Sequence, residues 1–227
     1  TPLNGTPGDQ VLTYGVQASI TPFIAQGGYG AFTYTLKSGT LQSGLAFNNG
    51  VISGKPVVLG DQQITITATD GAGQTQDYAF KLSVVAPGFT ATPSPATPAF
   101  TVGTQGSFTP FASVSGSVGS VVYSISPALP SGLGLAFDPA TGVISGKPLR
   151  VLGANDAKAF TITATDQAQG LSGRTSTRSI TLAIAQGAAN VALTASSLTP
   201  KYGAPVTLTA TVSGGGAMPG GTVDFMD

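Results

Sequence analysis

The chain has 227 residues, 41% of them hydrophobic and only 8% charged, with nine basic residues balanced by nine acidic ones, all of them Asp. The absence of His and Cys excludes Ser-His-Asp and Cys-His nucleophiles, disulfides and Cys/His metal sites. No basic stripe marks a nucleic-acid binder, and no apolar run reaches the roughly 20 residues that a membrane helix needs.

With 32 Gly and 16 Pro, the chain is interrupted too often for long helices. Thr, Val, Ile and Phe dominate the stretches between, which suits short strands. The first strands are expected at 11–14, 17–24 and 32–37. Leu45–Phe47 and Val51–Ser53 flank Asn48-Asn49-Gly50, a tight hairpin turn in which glycine supplies a positive φ. Residues 63–70 alternate, with Ile64, Ile66 and Ala68 on one face and Thr65, Thr67 and Thr69 on the other. Tyr78, Phe80, Leu82 and Val84 keep the same period across the Gly71-Ala-Gly73 turn. Ile64, Ile66, Phe80 and Leu82 are the expected core.

A second set of strands follows at 100–102, 107–111, 121–125, 135–137, 143–145, 159–166 and 177–184, with Ile162, Ile180 and Leu182 in its core. Its central turn is Asp138-Pro-Ala-Thr-Gly142: Pro139 presets φ, Asp138 accepts backbone N–H groups and Gly142 takes the left-handed position. The Pro-rich stretch 91–98 is expected to dock on a sheet edge as the start of this unit rather than to act as a free linker. From about Gly187 the pattern changes, with strands expected at 191–196, 206–213 and 222–226. Half a sandwich exposes its core face, so more chain or a partner is expected to complete this third unit. Thr1 follows neither an initiator Met nor a signal peptide, so the natural N-terminus is expected upstream or removed.

The two full sets are copies. Gly50-Val-Ile-Ser-Gly-Lys-Pro56 recurs unchanged as Gly142-Val-Ile-Ser-Gly-Lys-Pro148, and Thr65-Ile-Thr-Ala-Thr-Asp70 as Thr161-Ile-Thr-Ala-Thr-Asp166. The spacing is too long for a solenoid turn of about 20–50 residues and fits β-sandwiches of roughly 100 residues. The organisation read from this is all-β: a sandwich over 1–86, a second over 87–186 and an incomplete Ig-like domain over 187–227.

Leu129-Pro-Ser-Gly-Leu133, the Asp138–Gly142 turn, Ile144-Ser-Gly-Lys-Pro148 and Ala164-Thr-Asp166 together resemble the bacterial "putative Ig" repeat, which is related to dystroglycan-type cadherin-like domains. The likeness covers 87–186; the first copy departs from it with Leu41-Gln-Ser-Gly-Leu45. Residues 188–227, with Tyr202-Gly-Ala-Pro-Val206 and Pro219-Gly-Gly-Thr-Val223, resemble the start of a type-3 bacterial Ig-like domain. The resemblance implies tandem Ig-like/cadherin-like sandwiches, extracellular or on a bacterial surface, serving as a stalk or spacer. The partners it implies are neighbouring Ig-like domains of a longer chain. Two rival roles are a module binding host or matrix glycans or protein, and a filament subunit completed by a like subunit.

Candidate chemistry is thin. No catalytic or cofactor-binding residue is assigned, because the Asp residues fall mostly at turns and strand ends. The cadherin kinship raises calcium, which takes six to eight oxygens, several from carboxylates. Asp70 and Asp166, at matching strand ends, are the only weak metal candidates, and the bland alternative is that each caps its following turn. Asn155-Asp156 reads as a plain turn. A Lys–Asn cross-link would need a buried lysine, and Lys37, Lys81 and Lys158 read as outward-facing. Tyr29 and Tyr123 are aromatic candidates for sugar contact, against core or turn packing.

Overall fold

The computed structural model describes residues 2–214, and all of its regular structure there is β. The chain divides into two compact units, Thr1–Gly88 and Phe89–Asp227. Each is built from the alternation visible in its sequence.

Unit 1 contains β1 (Gln10–Thr13), β2 (Ala18–Ile20), β3 (Thr33–Ser38), β4 (Leu45–Asn48), β5 (Val51–Gly54), β6 (Gly60–Thr69) and β7 (Thr75–Val85). One sheet runs β1-β7-β6-β3 and the other β2-β5-β4. All pairings are antiparallel except β1 on β7, which is parallel from Gln10↔Leu82 to Thr13↔Val85. A single core joins the sheets: Ile52 from one, and Ile64, Ile66 and Leu82 from the other, are completely buried. Burying each such side chain contributes about 1.5–3 kcal/mol. The period of two in the sequence is therefore the inward face of β6 and β7.

The β4–β5 turn is the tight one expected from Asn48-Asn49-Gly50. Its two central residues have φ 39° (Asn49) and 91° (Gly50), the positive pair that a two-residue hairpin needs. Asn49 Oδ1 also accepts the Tyr34 N–H at 2.9 Å, tying the turn to the opposite sheet.

Unit 2 contains β8 (Thr90–Pro93), β9 (Ala99–Thr101), β10 (Gly106–Phe108), β11 (Phe111–Ser115), β12 (Val121–Ser126), β13 (Leu135–Phe137), β14 (Ile144–Gly146), β15 (Ala159–Asp166), β16 (Thr175–Thr181) and β17 (Ala183–Ala185). Sheets β12-β15-β16 and β10-β14-β13 enclose Phe108, Ile144, Phe160, Ile162 and Ile180. Two expected strands are divided. The 107–111 stretch is broken at Thr109-Pro110, where Pro cannot donate to a ladder, and the 177–184 stretch is broken at Leu182. There the chain changes partner: Leu182 N–H donates to Lys158 O (2.8 Å), Ala183 N–H to Pro98 O (3.0 Å), and β17 then runs parallel to β9.

The Pro-rich stretch belongs to the sandwich. β8 pairs with β11, Ala91 is buried, and Arg178 donates to the carbonyls of Ala96 and Pro110 while lying 5.1 Å over the Phe108 ring. Beyond β17, β18 (Ala189–Ala195) and β19 (Leu208–Gly214) form a hairpin. Its register puts Val191, Leu193 and Ala195 on the same face as Leu208, Ala210 and Val212, and Val191 and Leu193 are exposed. The strand expected at 222–226 lies outside the described residues.

Candidate functional site

The repeated motif is a backbone clasp. Gly44 O accepts the Lys55 N–H at 2.8 Å, and Pro56 O accepts the Gly15 N–H at 2.8 Å. A Cβ on Gly44 (φ 91°) would lie 1.9 Å from Lys55 O, and one on Gly54 would lie 2.1 Å from Gly44 O. Gly134 and Gly146 repeat the arrangement, with 2.3 Å to Lys147 O and 2.2 Å to Gly134 O. Pro56 and Pro148 are fully buried, whereas Lys55 and Lys147 are exposed. The recurrence of Gly54 as Gly146, facing Gly44 and Gly134, thus reflects two chain segments crossing without room for side chains.

Among the described residues Asp70 and Asp166 are the buried charged ones. Asp70 directly follows β6 and faces donors from two loops. Its Oδ1 accepts the N–H groups of Ala72 (2.9 Å) and Gln74 (2.8 Å), and its Oδ2 accepts Tyr29 N–H (2.9 Å) and Gln74 Nε2 (3.1 Å). Burial pushes this carboxyl up, but the N–H donors of Gln74, Tyr29 and Ala72 outweigh it and hold the group below the ordinary carboxylate value. The following turn is capped as expected. The bond to Tyr29, forty-one positions away, additionally pins the loop before β3, and Tyr29 O accepts Gly71 N–H at 2.6 Å.

Asp166, the last residue of β15, is the equivalent residue but takes its backbone donors from another loop, and across its own turn it is met by Arg174. Oδ2 accepts Val118 N–H (2.9 Å), Oδ1 accepts Gly119 N–H (2.8 Å), and Arg174 Nε donates to Oδ2 at 2.9 Å. Its side chain is 0% exposed and that of Arg174 is 13% exposed. Burial again raises the pKa, and Val118 N–H, the Arg174 guanidinium and Gly119 N–H together bring it below the ordinary value. Arg174 also donates to Gly116 O and stands 5.9 Å over the Phe89 ring. In both units the strand-end carboxylate is ringed by donors, an environment that favours an anion already in place.

The remaining described aspartates have comparable work. Asp138 Oδ1 accepts Ala140 N–H (2.9 Å) and Oδ2 the Thr141 hydroxyl (2.7 Å). Asp156 holds Gly153 N–H (2.7 Å) and a two-pronged Arg150, so the Asn155-Asp156 loop is stapled rather than plain. Asp9 accepts Lys81 N–H (2.9 Å), Asp61 pairs with Lys81 Nζ (3.4 Å), and Asp77 pairs with Lys37. Among the described residues no group of three His, Cys, Asp or Glu gathers where it could hold a metal ion. Lys37 and Lys81 lie at the surface in these ion pairs, and Lys158 is exposed. Of the two tyrosines, Tyr123 packs against the core and lies 6.0 Å from Phe111, whereas Tyr29 is 75% exposed. Sequence reasoning missed Gln42, buried with Nε2 donating to Gly60 O (3.0 Å). Its departure from Leu-Pro-x-Gly-Leu was the available signal.

A family model described as "Putative Ig domain" matches residues 1–85 and, separately, residues 88–185. The chain belongs to this family. No curated protein sequence matches it. Solved structures similar to this Ig-domain chain include protocadherin gamma B2 extracellular cadherin domains 3-6 (16% identity, 81% of this chain and 52% of that one, TM-score 0.35). Mouse cadherin-23 EC22-24 is another (18% identity, 93% of this chain and 78% of that one, TM-score 0.36). The titin domains Z1Z2 in complex with telethonin are a third (16% identity, 81% of this chain and 96% of that one, TM-score 0.44). The Ig-domain chain thus spans about half of the protocadherin structure, covering 52% of it. No helix of the described residues is long and apolar enough to cross a membrane.

Proposed function

We propose that the chain is a non-catalytic stalk or spacer segment of a large bacterial surface or secreted protein, presenting a distal tip. One observation carries this reading: every described aspartate is already engaged by N–H, hydroxyl, guanidinium or ammonium donors of the fold. The two buried acids, Asp70 and Asp166, are committed to donors of their own fold, the others are tied to turns, backbone N–H groups or surface lysines, and sites rather than folds carry activity. On the same ground Asp70 and Asp166 are assigned to loop fixation rather than to calcium, since a cation would have to displace four and three donors respectively. The β18–β19 hairpin, apolar on one face, fits the opening of a further Ig-like domain, so that the chain continues as a serial array with neighbouring domains as its principal partners.

The test is a length-preserving exchange. Unit 2 of the parent protein is replaced by an unrelated Ig-like sandwich of similar size, and attachment of the intact bacterium to its target is measured alongside release of unit 1 peptides by protease applied to whole cells. The spacer reading predicts unchanged attachment and release of the peptides. Loss of attachment with normal surface display would overturn it.

A further inference from the structure

The two repeats differ at one corner. In unit 2, β8 and β11 form a ladder from Phe111↔Pro93 to Ser115↔Thr90, which Arg178 reinforces through the Pro110 and Ala96 carbonyls. The matching segments of unit 1, Asn4-Gly-Thr-Pro7 and Pro22–Gln26, meet only at the bridge Asn4↔Gln26, with N···O distances of 3.0 and 2.8 Å. Past that bridge no backbone hydrogen bond joins Gly5 or Thr6 to Phe23 or Ile24 among the described residues.

Two sequence differences open the corner. Tyr78, opposite Ile66, stands where unit 2 has Arg178 opposite Ile162. A Cβ on Gly5 would lie 3.1 Å from Tyr78 Cε1, so the ring presses on the first segment. Unit 1 also has one residue fewer between Phe23 and Tyr29 than unit 2 has between Phe111 and Val118, where β11 carries its bulge.

The result is a cleft of about 630 Å³ lined by Asn4, Gly5, Thr6, Phe23, Ile24 and Gln26. Its volume lies within the range of small-molecule sites, about 300–1,000 Å³. Two features define what it fits. The polar side chains are neutral: two exposed amides, Asn4 and Gln26, and the Thr6 hydroxyl. Ile24, 70% exposed, gives one apolar wall, and beneath it Phe23 packs on Tyr78 at 4.3 Å between ring centroids. The Tyr78 ring lies behind Gly5, its Cε1 3.1 Å from where a Gly5 Cβ would sit, and is not part of the lining.

We propose that this corner of unit 1 binds a neutral saccharide. Sugar hydroxyls match amide and hydroxyl groups that both donate and accept, while the C–H face of a pyranose covers Ile24. With no acid or base in the lining, a charged ligand would find no counter-charge. An extended peptide needs a continuous row of free backbone groups, which the Asn4↔Gln26 bridge interrupts. The site is independent of the spacer reading and would stand if that reading failed.

The experiment uses the full chain and a panel of neutral hexasaccharides (cello-, xylo-, manno-, malto- and chito-series), titrated by calorimetry to about 5 mM, a range that captures millimolar Kd values. At least one is expected to bind. Ile24→Asp is expected to weaken that binding about tenfold or more while melting as wild type does, since Ile24 is exposed. Gln26→Ala, a second exposed change, is expected to weaken binding in the same direction. The proposal is overturned if no hexasaccharide binds, if binding survives both changes, or if only an extended peptide binds.

Discussion

Replacing Asp166 by Ala removes the shared acceptor of three donors: Val118 N–H, Gly119 N–H and the Arg174 guanidinium. The carboxylate is completely buried and its cation is 13% exposed, so little water can enter to replace it. Each buried N–H left without an acceptor costs about 1–3 kcal/mol, and removing one partner of a buried ion pair costs about 3–5 kcal/mol. These estimates overlap because they count some of the same bonds, and the expected loss is about 3–5 kcal/mol in total. For a unit of roughly 100 residues that lowers the midpoint by about 15–25 °C. Differential scanning calorimetry of the whole chain is the assay, with the transition of unit 1 as internal reference. The unit 2 transition should fall while that of unit 1 stays in place. Asp166→Asn, which keeps one acceptor oxygen, should fall between Ala and wild type. A unit 2 midpoint within about 3 °C of wild type in the Ala variant would refute the reasoning, since it implies a loss below about 1 kcal/mol.

Acid should destabilise both units. The carboxyls of Asp70 and Asp166 are held below their unfolded value of about 3.9, so their contribution is fully present above about pH 4 and is lost as pH falls through the folded values. Melting temperatures level between about pH 5 and 7 and declining below about 4 are expected, and a midpoint that holds steady to about pH 2 would contradict this. Calcium should leave the melts of both units within about 1 °C of those in EDTA, because ligand-linked stabilisation requires a site that binds the folded state; a larger rise would return Asp70 or Asp166 to the metal candidates. Gly146→Ala should cost about 3 kcal/mol or more, combining strain at φ 143° with a Cβ placed 2.2 Å from Gly134 O. Gly170→Ala, at φ 73° in open space, should cost only about 1–2 kcal/mol. Urea titrations that return equal losses for the two would show that the clasp yields.

The alternation of Ile64, Ile66 and Ala68 made β6 readable, because side chains on a half-buried strand report their face directly. The Asn49-Gly50 turn was readable for a similar reason: few residues tolerate two successive positive φ values. The partners of Asp166 were hidden. Its backbone donors lie 47 and 48 positions away in another loop, whereas local sequence suggested the N–H groups of its own turn, as at Asp70. Parallel pairing of β1 on β7 was equally unreadable, since alternation fixes faces but not neighbours. The break at Leu182 depends on where β15 ends relative to β9, a tertiary matter. The cleft of unit 1 emerges only from comparing Tyr78 with Arg178, residues that share a sheet position but little chemistry.

Pulling the full chain by its ends tests most directly whether two self-contained sandwiches stand in series. Units of 85 and 98 residues, as the family matches delimit them, should release contour length in two separate steps of about 25–35 nm each, from roughly 3.5 Å per extended residue less the folded span. A single cooperative step spanning both, about 60 nm, would mean one shared interior and would contradict the serial arrangement on which the proposed role rests.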